Sequence, residues 1–177
     1  WIRHATGLLA QGASSPSPID HEALRVWPPP GAVSVVLEGL YPGLAARGYQ
    51  YGPAFQGLVE VWRRGEVLFA RVVLPEALGE TASAYGMHPA LLDAALHSLA
   101  AAAELGGEAV MLPFAFSEVV LHASGASELR VRLEPLDGAI GLTVADASGQ
   151  PVADIGGLRV RPATAEQVRA AVQTEAR

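Results

Sequence analysis

The chain has 177 residues, of which half are apolar and 17% are charged, a composition typical of a folded domain with a large core and not of a disordered segment. Its net charge is −6 and its twelve basic residues are scattered, so it lacks the basic patch of a nucleic-acid-binding protein. It has no cysteine, which excludes disulfides and thiolate metal sites.

The N-terminal part predicts a strand followed by a linker. Residues 1–10, WIRHATGLLA, predict a short strand, and residues 11–32 are dense in Ser, Pro and Gly, as in a linker that crosses a surface. The start shows neither an initiator Met nor a signal peptide, and the longest apolar stretch, 89–105, is too short to span a membrane comfortably. We therefore expect a piece of a longer, cytoplasmic protein without membrane contact.

A helix is predicted over residues 33–47, where apolar residues recur at helical spacing and Gly48 follows as a C-terminal cap. Pro42 interrupts this segment, so two shorter pieces are an alternative. The next ten residues, GYQYGPAFQG at 48–57, predict a loop.

The rest of the chain predicts strands on both sides of one long helix. Residues 164–177 are interpreted as a polar tail. Six strands are predicted, at residues 57–64, 66–75, 111–123, 128–136, 139–146 and 152–161. With the helix between the second and the third, this order predicts an α+β fold in which an antiparallel sheet wraps a single helix.

That helix, residues 88–105, is apolar on all sides, as expected of a buried helix. Pro89 suits its first position, where a missing N–H costs nothing. Asp93 and His97 are the exceptions, and four residues apart they share one face. A buried carboxyl group is costly unless it is paired or protonated, and catalytic acids use such apolar surroundings.

Two other interpretations of this helix stay open. In one, Asp93 benefits from the helix dipole and forms a structural ion pair with His97 on a partly wet face. In the other, His88 joins them in a metal site, although His88 lies off their face. The remaining histidines are interpreted as solvated or strand-edge residues without chemistry: His4, His21 and His122.

Three segments resemble signatures of the modular polyketide synthase dehydratases. GYQYGPAFQG at 48–57 is similar to the family's GYxYGPxFQG motif. HPALLDAALH at 88–97 is similar to its helix motif, in which Gln or His follows an Asp by four residues. LPFAF at 112–116 resembles its LPFxW segment, with Phe116 where Trp is usual. The order and spacing of the three segments also fit the family.

The resemblance implies a double hot-dog fold, with two units of antiparallel sheet, each wrapped around one long central helix. This chain would be the C-terminal half. Residues 1–10 would close the preceding hot dog, 11–32 would be the linker, 33–163 the C-terminal unit and 164–177 the tail.

The resemblance also implies a dehydratase, a hydro-lyase that removes water from a 3-hydroxyacyl chain to give a 2-enoyl thioester. The chain would be held on the phosphopantetheine of an acyl carrier protein, with no metal or redox cofactor. Asp93 would protonate the leaving hydroxyl, His97 would orient Asp93, and Tyr51 would reach the site by a hydrogen bond. The substrate-binding residues would be Gly52, Pro53, Phe55, Leu112, Pro113 and Phe114.

One family feature is missing, because no histidine of this sequence lies in the family's HxxxGxxxxP motif. That histidine removes the C2 proton, so we expect it in a hot-dog half upstream of Trp1 and expect this chain alone to be inactive. The expected partners are therefore the N-terminal half, an acyl carrier protein, and a second copy in a dimeric megasynthase.

Alternative functions remain open at this point. The chain could be a non-catalytic hot-dog module for docking or structure inside a synthase. It could also be a cyclisation domain similar to product-template domains. A standalone hot-dog thioesterase fits the Pro-rich linker less well.

Overall fold

Seven antiparallel strands form one sheet in the computed structural model, which describes residues 5–9, 21–102 and 110–163. The strands are β1 (Val33–Val35), β2 (Leu58–Arg64), β3 (Val67–Val73), β4 (Val110–Leu121), β5 (Glu128–Leu136), β6 (Ala139–Asp146) and β7 (Pro151–Ala163). Their order across the sheet is β1-β2-β3-β5-β6-β7-β4. The chain therefore leaves β3, crosses the sheet and places β4 at the far edge, beside β7.

Two α-helices lie in the described residues, α1 (Leu40–Ala46) and α2 (Pro89–Ala102). Before α2, His88 caps the helix, because its ring Nδ1 accepts the N–H of Ala90 at 3.2 Å and its carbonyl accepts the N–H groups of Leu91 and Leu92. The described part of the chain also holds three 3₁₀ segments: His21–Leu24, Pro53–Phe55 and Glu76–Ala84.

The core lies between α2 and the face of the sheet formed by β2, β3 and β5. Leu91, Ala94 and Ala95 of α2 are buried against leucines and valines of these strands. Gly57 lets the chain pass closely, because a Cβ there would lie 2.5 Å from the carbonyl oxygen of Val73. The loop 48–57 therefore ends tightly between β3 and α2.

The opposite face of the sheet carries a smaller cluster built on Leu24, Phe69 and Ala145. Trp27 packs beside it, and its indole N–H donates to Glu60 at 2.8 Å. Part of the predicted linker is therefore folded onto the sheet, since Leu24 is fully buried. Residues 11–20 of that linker lie outside the described residues.

Most predicted elements are confirmed, including β5 and β6 at the predicted bounds. The helix predicted over 33–47 is wrong in its first half, which forms β1 paired with β2. Pairing with a neighbouring strand outweighs the weak helical pattern there. The helix α1 follows only after Gly39 at φ 76°, and Gly48 at φ 100° ends it as predicted.

The strand predicted over residues 1–10 is not formed in residues 5–9, which carry no regular structure. Leu8 and Leu9 are fully exposed, because no described strand pairs with them. The other residues of that prediction, the last three of the predicted 88–105 helix, and the tail lie outside the described residues. Within the described part of the chain, no helix is long and apolar enough to cross a bilayer.

Candidate active site

Two adjoining cavities, of about 510 and 290 Å³, lie where the loop 48–57, α2 and β4 meet. Four residues line both cavities: Tyr51, Asp93, Leu96 and Pro113. The loop contributes the tyrosine, the helix contributes the carboxyl group and β4 closes the opposite wall. Three of the predicted site residues, Tyr51, Asp93 and Pro113, therefore border the same space.

Asp93 stands on the face of α2 that is turned to these cavities, between the half-buried Leu92 and Leu96. Its side chain is 33% exposed, so the carboxyl group is partly buried, between the buried and the partly wet positions considered from the sequence. One oxygen, Oδ2, lies 3.3 Å from Nε2 of His97, which confirms that the two side chains share a face. The carboxyl group is thus beside an imidazole and still open to the cavity.

His97 is buried, with its side chain 4% exposed. Its Nδ1 lies 3.4 Å from the hydroxyl of Tyr41, and that hydroxyl accepts the N–H of Leu58 at 3.3 Å. The hydroxyl hydrogen is therefore free to be donated to Nδ1, which favours the tautomer with its proton on Nε2, toward Asp93. Nε2 has no well-aligned acceptor among the described residues, so the contact with Asp93 is an ion-pair distance and not a formed hydrogen bond.

Tyr51 contacts the site through its ring. Its centroid is 4.0 Å from that of His97, and its other side stacks on Tyr49 at 6.0 Å. Burial raises the pKa of Tyr51 well above its usual value, and the nearby charge of Asp93 raises it further. The phenol therefore stays protonated at neutral pH, as a hydrogen-bond donor needs to be, and no described residue accepts from it.

Tyr41 is a site residue that the sequence analysis missed. Burial raises its pKa, an effect that the hydrogen bond from Leu58 opposes and the charge of Asp93 reinforces. It lies in α1, outside the three motifs, and only the tertiary fold brings α1 against His97. No signal in the sequence points to this contact.

The other predicted binding residues divide into two groups. Gly52 and Phe55 line the larger cavity, and Leu112 lines the smaller one. Pro53 and Phe114 line neither, since Pro53 is exposed at the start of a 3₁₀ turn.

Phe114 is 57% exposed and stacks on Arg161, whose guanidinium carbon is 3.4 Å from the ring centroid. The pairing of β4 with β7 shifts register between Pro113 and Ala115, and this bulge breaks the two-residue alternation. Phe116 consequently lines the larger cavity, where Phe114 was predicted to act.

The metal site considered for His88, Asp93 and His97 is not assembled. Both ring nitrogens of His88 are engaged elsewhere, with Nδ1 at the start of α2 and Nε2 3.2 Å from Thr81 Oγ1. Among the residues that the structure describes, a different set comes within ligand distance: His21, His122 and Asp154. His21 and His122, predicted to be solvated or strand-edge residues, both contact the buried Asp154; His122 is exposed and follows the edge strand β4, and His4 lies outside the described residues.

A comparison with protein families matches residues 19–170 to the family described as "Polyketide synthase dehydratase N-terminal domain". That description names an N-terminal domain, whereas the motifs predict that this chain is the C-terminal half of a dehydratase domain. Which half the chain represents stays a prediction.

Two curated relatives are large synthases. Mycoketide-CoA synthase of Mycobacterium tuberculosis is 44% identical over 178 residues, which are 98% of this chain and 4% of that protein. Polyketide synthase GfsE of Streptomyces halstedii is 51% identical over 174 residues, 96% of this chain and 4% of that protein. The chain thus spans a small part of the synthases it matches.

Two solved structures are similar over most of the chain. A dehydratase from work on substrate selection in the borrelidin and fluvirucin polyketide synthases is 50% identical, with a TM-score of 0.75, and the match covers 85% of this chain and 52% of that one. A bifunctional dehydratase-cyclase domain of ambruticin biosynthesis is 41% identical, with a TM-score of 0.78, and the match covers 90% of this chain and 58% of that one. The chain spans just over half of each.

Proposed function

The chain belongs to the polyketide synthase dehydratase family and has its hot-dog fold, and we propose that it carries the acid half of a site that dehydrates a 3-hydroxyacyl thioester. One observation carries the proposal. Asp93 and Tyr51 line both cavities beside the buried His97, at the place where the motifs predicted a site.

The proposed step breaks the C2–H and C3–O bonds and forms a C2=C3 double bond, with water as the other product. Hydroxide is a poor leaving group, so an acid has to protonate it, and the C2 proton needs a positioned base. Asp93 is the acid. An acyl chain that fills the apolar cavity displaces water from around this carboxyl group, which leaves the substrate hydroxyl beside it.

His97 and Tyr51 position the acid and the substrate in this proposal. With its proton on Nε2, 3.3 Å from Oδ2 of Asp93, His97 donates to that oxygen once the two side chains align, and the other oxygen is left for the substrate hydroxyl. Tyr51 keeps its proton and can donate it as a hydrogen bond to the substrate. Tyr41 holds the imidazole of His97 in place through the contact between its hydroxyl and Nδ1.

The walls of the larger cavity suit an acyl chain, because they are mostly apolar. They include Phe55, Leu92, Leu96, Pro113 and Phe116. We propose that the acyl chain enters on the phosphopantetheine of an acyl carrier protein. In the same proposal, the protein is part of a megasynthase in which the dehydratase domain forms a dimer. The step moves two protons and cleaves the C3–O bond without net oxidation or reduction, so the proposal includes neither a redox cofactor nor a metal.

The base comes from outside this sequence in our proposal, from a preceding hot-dog unit with the HxxxGxxxxP histidine. Structures of the CurK dehydratase, 26% and 28% identical to this chain, include an Asp-to-Asn mutant and a His-to-Phe mutant that are both described as inactive. One acid and one histidine are the two groups that the proposed step needs.

The test uses the intact dehydratase domain that contains this chain, with a 3-hydroxyacyl carrier protein as substrate and mass spectrometry of the product. We expect Asp93→Asn to lower turnover by about 10²- to 10⁴-fold, because an amide cannot protonate the leaving group. Asp137→Asn, in the exposed turn after β5, is the matched control and should keep normal turnover. Near-normal turnover by Asp93→Asn would refute the role of Asp93.

A second candidate activity is ring closure after dehydration, and the likeness to the ambruticin dehydratase-cyclase supports it. A substrate with an additional hydroxyl further along the acyl chain separates the two. A cyclic product by NMR would favour the bifunctional activity, and an open-chain enoyl product the dehydratase alone.

A further inference from the structure

On the face of the sheet opposite α2, three side chains from distant parts of the chain converge on one point. They are His21 from the first 3₁₀ segment, His122 just after β4, and Asp154 in β7. Their ligand atoms all lie within 4.8 Å of one another. Asp154 alternates with Ala153 and Ile155 of the α2 core, which places its side chain under the turn that carries His21.

The carboxyl group of Asp154 is the centre of this cluster. Its side chain is 3% exposed, and both imidazoles direct Nε2 at it. Nε2 of His122 lies 2.6 Å from Oδ2, and Nε2 of His21 lies 3.1 Å from Oδ1 and 3.3 Å from Oδ2. A buried carboxylate is costly unless hydrogen bonds or a nearby cation compensate for its lost hydration.

The hydrogen bonding of the cluster is incomplete. Oδ1 of Asp154 is buried without a hydrogen-bond partner among the described residues, although Nε2 of His21 faces it. This unpartnered oxygen points to a ligand, since buried polar atoms are nearly always satisfied. The two histidines and one carboxylate are, moreover, a donor set typical of zinc and its neighbours among the divalent transition metals.

We propose that His21, His122 and Asp154 bind a divalent transition-metal ion of the zinc class. Ligand atoms around a tetrahedral zinc ion with bonds of about 2.0–2.2 Å are roughly 3.3–3.5 Å apart. The 3.1 Å separation of His21 Nε2 from Asp154 Oδ1 is close to that value, and His122 Nε2, at 2.6 Å from Oδ2, has to move back by about 0.7–0.9 Å. His122, 30% exposed, leaves a side open for a water ligand in the fourth position.

Such an ion would join three segments, the first 3₁₀ turn, the end of β4 and β7. It would stabilise the edge of the sheet and hold the segment that precedes β1 in place. The site is separate from the candidate active site, so the proposal does not depend on the proposed function.

The experiment uses the 177-residue chain, produced without a polyhistidine tag and stripped with a chelator. Titration with ZnCl₂ in a calorimeter should show one ion per chain, and the melting temperature should rise with zinc concentration. We expect His122→Ala and His21→Ala each to lower the zinc affinity by more than about tenfold, because a ligand is lost. Cobalt(II) in place of zinc should give the visible absorption of a tetrahedral site.

Glu22→Gln is the control, since it removes an exposed carboxylate next to His21 without touching a ligand. It should bind zinc as the unchanged chain does. If His122→Ala does not fold, as judged by circular dichroism, His122→Gln replaces it, keeping a polar group and removing the imidazole.

Three outcomes would overturn the proposal. Zinc does not bind stoichiometrically, or it binds His122→Ala as tightly as the unchanged chain. In the third, the variants lower the melting temperature although the unchanged chain binds no zinc. The cluster then only stabilises the fold through its hydrogen bonds.

Discussion

The described residues contain two Asp–His arrangements, one on each face of the sheet, and they differ in burial, partners and access to a cavity. On the α2 face, the carboxyl group of Asp93 is one-third exposed, contacts a single imidazole and borders two cavities. On the other face, Asp154 is buried and lies against His21 and His122. In our proposals, the same residue types support proton transfer where a carboxyl group meets a cavity, and metal binding where it is enclosed.

The sharpest way to break this comparison is to remove each carboxylate in turn and measure both activity and stability. In the intact domain, Asp93→Asn should lose turnover by the two or more orders of magnitude given above and melt at an unchanged temperature. Asp154→Asn should lower the melting temperature and keep normal turnover at temperatures where the variant is folded.

Asp154→Asn should lower the free energy of unfolding by about 2 kcal/mol, because a charged hydrogen bond to His122 is lost inside the protein. Urea denaturation of the chain in the presence of a chelator measures this contribution without metal. Asp137→Asn serves again as the exposed control. A change below about 0.5 kcal/mol, the usual size for a surface substitution, would contradict the cohesive role.

Tyr41→Phe should sharpen the comparison on the α2 face, because it removes the hydroxyl behind His97. We expect turnover of the intact domain to fall by about threefold to tenfold and the unfolding free energy by about 1 kcal/mol, since Leu58 loses an acceptor. Nitrogen NMR of His97 separates positioning from stability. The Nε2–H form should dominate before the substitution and give way to a mixture after it.

Phe116 and Phe114 provide a matched pair on β4. Phe116→Ala should enlarge the cavity and raise KM for an acyl substrate by about threefold, through lost apolar contact. Phe114→Ala should change KM little, because this ring lies on Arg161 outside both cavities. Equal effects of the two substitutions would contradict the register shift in β4.

Alkaline titration should affect the α2 face alone. The pKa of Tyr51 is raised in the folded chain, so the unfolded chain releases this proton first as the pH rises. Its contribution to stability is present below about pH 10, the ordinary tyrosine value, and is lost above it. Urea denaturation between pH 8 and 11 should show this fall, and Tyr51→Phe should reduce it.

Local pattern was enough to predict α2 and the strands that follow it. The period of α2 and the alternation in β5 involve neighbours along the chain, and so did the recognition of Asp93 with His97 four residues apart. Tyr51 was predicted as a site residue from a motif that resembles a family signature. Periodicity could not identify it, because it lies in a predicted loop.

What the sequence did not predict depends on contacts between distant residues. His21 and Asp154 are 133 positions apart, and Tyr41 and His97 are 56 apart, so no local pattern links either pair. The strand β1 forms because β2 is beside it, and Phe114 turns outward because of a bulge in the pairing with β7. Each of these is set by the assembled sheet.

The place of β4 also matters for how this chain is made. A ribosome delivers β4 before β5, β6 and β7, yet β7, the last strand of the described sheet to emerge, is the neighbour that pairs with it. Until then the apolar side chains of β4 have no partner strand, and Phe114, Phe116, Val119 and Leu121 are more than two-fifths exposed even after pairing. The nascent chain therefore exposes an unpaired apolar strand for the time needed to translate three further strands. We expect chaperones to bind the nascent chain at β4.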